Sequence, residues 1–308
     1  MSTENLSFRI LVATITTGAL LGACGVEDSR TRTGDLTAAD DLSGILFGSI
    51  AHDSPRLYVT DTSGKAIVVS GADFDQYSGD WSPDRSQIVF IGNRDNPDLY
   101  IMKDDGSEVQ RILRTPEIEG DATWSPDGRT IFFWQSSNDG TWQVKQLDLQ
   151  SGEVSNVRGT ANGDSELDIA PLADRIGVVR NVGGQMSVQL LSLSGEETEL
   201  VLTNGAGSPS WSPSGRQVAF VDDAGTVQVA DLDTGLTTKI TLPDEGMRAS
   251  IVEWGPSAEA LLVAGEAVEI DSGKGIARLY LADTATGEVS PLDVGLESLD
   301  FFGGISWQ

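Results

Sequence analysis

Residues Trp124-Ser125-Pro126-Asp127-Gly128-Arg129-Thr130-Ile131-Phe132-Phe133 decide the fold. Near copies stand at Trp81-Ser82-Pro83-Asp84, running on to Ile88-Val89-Phe90, and at Trp211-Ser212-Pro213-Ser214, running on to Val218-Ala219-Phe220. Looser copies are Ile169-Ala170-Pro171 and Trp254-Gly255-Pro256. The anchors at 81, 124, 169, 211 and 254 are 43, 45, 42 and 43 residues apart, and an aliphatic residue follows each by seven positions. A repeat of this length, with short β-type runs inside it, is the mark of propeller blades. Each copy needs its neighbours to bury its faces, so the repeats form one domain although the length alone would suit two.

Every repeat has the same order of parts. The anchor ends a first strand, and Ser-Pro-Asp-Gly turns the chain, with Pro setting φ at the second turn position and Gly suited to the last. A second strand follows, such as Ile131–Trp134, then a variable loop and a third strand, such as Val144–Leu149. Turns at Gly106, Gly152, Gly195, Gly235 and Gly287 lead into a fourth. At the start, Ile45–Ile50, Arg56–Asp61 and Lys65–Val69 supply strands two to four with no anchor strand before them. At the end, Gly304-Ile305-Ser306-Trp307-Gln308 supplies an anchor strand alone. The two fragments complete each other. The expected fold is all-β: a six-bladed β-propeller of four-stranded antiparallel blades over residues 44–308. Its ring closes when the C-terminal strand joins the first blade, which leaves no open array edge.

Residues 1–23 read as a lipoprotein signal peptide. Arg9 precedes the uncharged run Ile10–Leu21, too short to span a bilayer and right for a signal core. The ending Leu21-Gly22-Ala23-Cys24 resembles the bacterial lipobox, which makes Cys24, the one cysteine of the chain, the expected lipidation site. Several acyl chains on one residue give a stable anchor. Gly25 rather than Asp follows, which favours the periplasmic side of an outer membrane where the cell has one. Residues 24–43, from the lipidated Cys onward, read as a flexible polar tether.

The formal charge is −27, from 47 acidic and 20 basic residues. That balance argues against nucleic acid, which needs Lys and Arg to replace phosphate counterions. A single cysteine excludes an internal disulfide, and a single histidine, His52, leaves no Ser–His–Asp arrangement of recognisable spacing. No Gly-x-Ser-x-Gly elbow occurs. The loop Asn93–Asp98 alternates oxygen ligands but lacks the glycine and the closing glutamate of a calcium loop. No cofactor and no metal are expected.

The repeats resemble the TolB-like propeller family, whose blades carry Trp-Ser-Pro-Asp-Gly-x-x-Ile-x-Phe followed by an Ile-Tyr-type strand. The likeness is close at Trp81, Trp124 and Trp211 and looser at Ile169 and Trp254. It implies a periplasmic six-bladed propeller used for protein contacts. TolB carries an additional N-terminal α/β domain, for which residues 1–43 leave no room.

The repeated Trp81, Trp124, Trp211 and Trp254, with Trp307, are expected as wedges between blades, because each can bury a large area. Loops between second and third strands share a face with the links between blades, and those segments are acidic with aromatic residues among them. The candidate binding face comprises Asp80, Asp121, Glu166 and Glu253 as an acidic mouth, with Phe74 and Tyr77 as aromatic anchors. An extended loop at Gly265–Gly275 is expected on the same face. The reading is a non-catalytic, lipid-anchored interaction module of the bacterial cell envelope. Its partners would be an envelope protein, not yet identified, and the membrane through the N-terminal lipid. A small-ligand or glycan binder, or a sensor, using the central channel is the alternative, and a hydrolase or lyase stands behind it.

Overall fold

The structure is a computed structural model that describes residues 42–50, 54–69, 71, 73–136, 140–193, 200–202, 206–268, 275–296 and 301–307. The signal peptide, Cys24, most of the tether and His52 lie outside the described residues.

Six four-stranded antiparallel sheets follow one another in chain order. Blade 1 holds β1 (Leu46–Ser49), β2 (Arg56–Thr60) and β3 (Ala66–Val68). Blade 2 holds β4 (Asp75–Trp81), β5 (Gln87–Asn93), β6 (Pro97–Lys103) and β7 (Gln110–Arg111). Blade 3 is β8 (Ile118–Trp124), β9 (Thr130–Ser136), β10 (Trp142–Asp148) and β11 (Val154–Asn156). Blade 4 is β12 (Ser165–Ile169), β13 (Arg175–Val182), β14 (Gln185–Ser192) and β15 (Leu200–Leu202). Blade 5 is β16 (Ala206–Trp211), β17 (Gln217–Asp222), β18 (Val227–Asp231) and β19 (Thr237–Ile240). Blade 6 is β20 (Arg248–Trp254), β21 (Ala260–Val268), β22 (Gly275–Asp283) and β23 (Val289–Leu292). The last strand, β24 (Phe301–Ser306), returns to blade 1 and pairs with β1, Leu46 opposite Ser306. The six-bladed ring and its closure are as the repeats imply.

The Ser-Pro-Asp turn owes its recurrence to side-chain hydrogen bonds. The Ser125 hydroxyl donates to Asp127 Oδ1 at 2.7 Å and accepts the Thr130 N–H at 2.9 Å. Ser82 does the same with Asp84 and Gln87, at 2.8 and 2.9 Å. The last turn position is left-handed in every copy: Gly128 and Gly215 have φ of 69° and 68°, and Arg85, Ala173 and Ala258 adopt 58°, 54° and 61° without glycine's freedom.

Each anchor side chain packs back on the preceding blade. Trp124 lies among Val89, Ile91, Leu99 and Ile101 of blade 2. Trp81 packs with Leu46 and Leu57 of blade 1, and Trp211 with Val179, Val188 and Leu190 of blade 4. Trp254 and Trp307 repeat the arrangement on blades 5 and 6. The core is therefore a ring of inter-blade layers rather than one central mass.

All six innermost strands carry a register shift, as between Tyr77 and Asp80, Gly120 and Thr123, or Ser165 and Asp168. In four of them the bulged residue is a non-glycine with left-handed φ: Ser78 at 43°, Asp121 at 50°, Glu166 at 48° and Ser208 at 52°. Each such conformation costs about 1–3 kcal/mol and persists only where the surroundings impose it.

One local expectation is corrected. The loop expected from Gly265 is a hairpin extension instead: β21 and β22 stay paired from Ala260–Asp283 out to Val268–Gly275.

Candidate functional site

The innermost strands line the axis, and their last residue before the anchor is polar in every blade: Asp80, Thr123, Asp168, Ser210, Glu253 and Ser306. These side chains reach the next blade. Asp80 Oδ2 accepts the backbone N–H of Trp124 and the hydroxyl of Thr123, both at 2.9 Å. Asp168 Oδ2 accepts the Trp211 N–H at 2.7 Å, and Ser210 Oγ the Trp254 N–H at 3.0 Å. Ser306 accepts the Trp81 N–H at 3.4 Å and donates to Asp80 Oδ1 at 2.7 Å. Ser210 also donates to Glu253 Oε2 at 3.0 Å, and the Trp307 backbone bonds to Glu253 in turn.

Blade 3 departs from this scheme. Thr123 is spent on Asp80, and Asp121 at the bulge instead accepts the Leu167 N–H at 3.0 Å. Glu166, at the same bulge in blade 4, accepts the Ser208 N–H. Each anchor strand is thus fastened to its predecessor by packing and by a central polar contact.

Of the sequence candidates, Asp80, Asp121, Glu166 and Glu253 share this inner wall, joined by Asp168, which the sequence reading passed over. Asp168 occupies the position of Asp80 and Glu253, one residue before the anchor, so an alignment of the repeats on that position would have found it. Burial raises the pKa of all five carboxyls. Desolvation carries Asp121 and Asp168 to about 7; Glu166 and Asp80 add repulsion on Asp121, and Asp80 and Asp121 on Asp168. Glu166 keeps exposed surface although protein closes round it tightly enough to raise its pKa. Among the described residues, no group of three or more His, Cys, Asp or Glu side chains is gathered closely enough to hold a metal ion.

Phe74 and Tyr77 do not join this wall. Phe74 is buried against Tyr100, ring centroids 5.1 Å apart. Tyr77 packs on the layer between blades 2 and 3, and its hydroxyl donates to Asp75 Oδ2 at 3.3 Å.

The loop face is less acidic than composition implies, because many of its carboxylates have arginine partners. Asp98 holds Arg111 at 2.9 Å, and Asp164 holds Arg180 at 2.7 Å. Asp244 binds Arg278 and accepts the Tyr280 hydroxyl at 2.8 Å. Beneath this face, buried Glu119 takes hydrogen bonds on Oε1 from Thr115 and Gln135, while its Oε2 has no donor among the described residues. Burial first, then Asp98, pushes its pKa to about 7, so below neutrality Glu119 carries a proton that it can donate to Asp98.

Comparison with known proteins agrees with this architecture. A protein named uncharacterized peptidase YuxL, from Bacillus subtilis (strain 168), is 29% identical over 171 residues, 53% of this chain and 24% of its own. A protein TolB homolog from Chlorobium chlorochromatii (strain CaD3) is 27% identical over 195 residues, 61% of this chain and 43% of its own. The chain therefore spans less than half the length of either relative. The crystal structure of TolB from Acinetobacter baumannii superposes with a TM-score of 0.68 at 18% identity, over 86% of this chain and 66% of that one. This last likeness concerns the fold alone. The family described as TolB beta propeller domain matches residues 37–258, most of the blades and all of the recurring Trp-Ser-Pro turns. With its repeats, its closed ring and that match in agreement, the chain belongs to the TolB beta-propeller family.

Proposed function

We propose that this protein is a non-catalytic, lipid-anchored β-propeller of the bacterial cell envelope that holds its acidic loop face toward another envelope protein. The observation that carries the reading is how the repeated polar residues are used. Asp80, Asp168 and Ser210 hold the next anchor strand, and Ser82 and Ser125 close turns, so the conspicuous motif residues serve as scaffold. Recognition then falls to the loops that this scaffold holds rigid. The Tol-Pal and TolB names among its relatives support an envelope setting. Lipidation at Cys24 and the tether through residue 43 would fix the ring to the membrane while leaving the loop face free to dock.

In-cell cross-linking of the full chain, followed by mass spectrometry, tests the docking. Recovery of one envelope protein that is lost when Asp95 (between β5 and β6), Glu117 (between β7 and β8) and Asp223 (between β17 and β18) of the loop face are changed to Lys supports it. Recovery unaffected by those changes removes the loop face from the account. Cys24→Ser should release the chain from the membrane fraction; if it stays, the anchor is not at Cys24.

A second reading, a small-ligand or glycan binder using the channel, draws on the five inner carboxylates and on the exposed surface of Glu166. It predicts a ligand-dependent rise in Tm that Glu166→Gln abolishes.

A further inference from the structure

A cleft of about 290 Å³ is lined by Phe74, Arg94, Tyr100, Val109 and Arg111. It lies on the face of blade 2 that packs toward blade 1, away from the channel. Two aromatic rings form its floor, and each has a guanidinium over it: Arg94 is 4.9 Å from the Phe74 centroid and Arg111 is 6.0 Å from that of Tyr100. A guanidinium laid on a ring keeps its N–H edge free to meet an oxygen acceptor in its own plane.

The donors here are under-used. Arg111 is tied to Asp98 through Nη1 at 2.9 Å. Arg94 meets Asp73 only at 3.4 Å, in a pair whose side chains are 57% and 88% exposed. Such a pair contributes little and exchanges readily. The Tyr100 hydroxyl is buried and has no hydrogen-bond partner among the described residues. Guanidinium N–H groups left over from these two ion pairs, beside an apolar floor, suit a ligand that brings acceptors and a flat apolar body together.

We propose that this cleft binds a small carboxylate carrying a flat apolar group. Two sources share that chemistry: a free aryl carboxylate, and the C-terminal aromatic residue of a peptide. Arg94 exchanges Asp73 for the ligand carboxylate, Arg111 adds a second N–H, and Phe74 and Tyr100 take the apolar body. Asp73, Asp95 and Asp98 stand close by, so the bound anion must outcompete Asp73 for Arg94 while Asp98 keeps Arg111.

Isothermal titration of the purified full chain at low salt tests this, with four probes: benzoate, acetate, N-acetyl-Gly-Phe as the free acid, and the same peptide as its amide. Benzoate or the peptide acid should bind saturably, with acetate and the amide at least about tenfold weaker. Arg94→Gln, at an exposed position that spares the fold, should weaken binding about tenfold, and Asp73→Asn should tighten it. A peptide acid that binds tighter than benzoate identifies a peptide terminus as the source; the reverse order identifies a free carboxylate. No saturable binding of either acid, equal binding of the amide, or an unchanged affinity in Arg94→Gln overturns the proposal.

Discussion

Asp80 Oδ2 accepts the backbone N–H of Trp124 in the following blade at 2.9 Å, while its Oδ1 accepts the hydroxyl of Ser306, which belongs to the blade before, at 2.7 Å. One carboxylate ties three consecutive blades at the axis. Asp80→Ala strands these donors, and leaving a buried donor unpaired costs about 1–3 kcal/mol. We expect a loss of roughly 2–4 kcal/mol in urea unfolding. Asp80→Asn keeps an acceptor and removes a charge that repels its neighbours, so its loss should be smaller. Equal midpoints for wild type and Asp80→Ala would show that packing alone fastens the blades.

Asp121 and Asp168 have folded pKa values of about 7, above the ordinary 3.8, because burial disfavours their charged forms. A folded state that holds protons the unfolded chain has released is stabilised by acid. The stabilisation is complete below about pH 4 and is lost as pH rises toward and through 7. Wild-type stability should therefore fall between pH 4 and 7, and an Asp121→Asn, Asp168→Asn double variant should show a flatter profile. The exposed turn carboxylates act oppositely: hydrogen bonds hold Asp84 at about 2, and its contribution, full above about pH 4, is lost as pH falls toward and through 2. A double variant with an undiminished slope would assign the slope to other groups.

Glu119 is buried, has one oxygen without a donor, and carries a pKa of about 7. At pH 8 it must ionise beside Asp98. Glu119→Gln supplies an N–H toward Asp98 and removes the buried charge, so its Tm at pH 8 should exceed that of wild type, with the gap closing at pH 5. A lower Tm at both values would mean that the ionised carboxylate is what the site requires.

Residues 301–306, far from β1 in the sequence, complete blade 1. A chain ending at residue 296 would lose β24, bare the inner edge of β1 and remove the Ser306 bonds to Asp80 and Trp81. We expect such a chain to associate through that edge and to melt over a broader, lower range. Size-exclusion chromatography with thermal denaturation reads both effects. A monomer with the wild-type Tm would mean that closure adds nothing.

The architecture was legible because its signals are local. The Ser-Pro-Asp turn closes on itself within a few residues, as Ser125 does with Asp127 and Thr130, and a close or looser copy stands in each of blades 2 to 6. The inner wall was legible only in part. Asp80, Asp121, Glu166 and Glu253 stood out as carboxylates near strand ends, whereas Asp168, preceding an isoleucine instead of a tryptophan, carried no such flag. Phe74 and Tyr77 read as surface aromatics, but which face of a bulged strand or its approach is buried depends on what the neighbouring blade brings to it.

By itself, the sequence determined the number of blades, the order of strands within them, and the way the two ends complete one ring, since periodicity and turn chemistry act over short stretches of chain. The tertiary structure alone decided which polar groups meet. An added residue in five of the six inner strands breaks the two-residue alternation, so side-chain direction near the axis cannot be counted off from the anchor. Asp80, Trp124 and Ser306 come from three blades, Ser306 lying more than two hundred residues from Asp80, and no local pattern encodes that meeting.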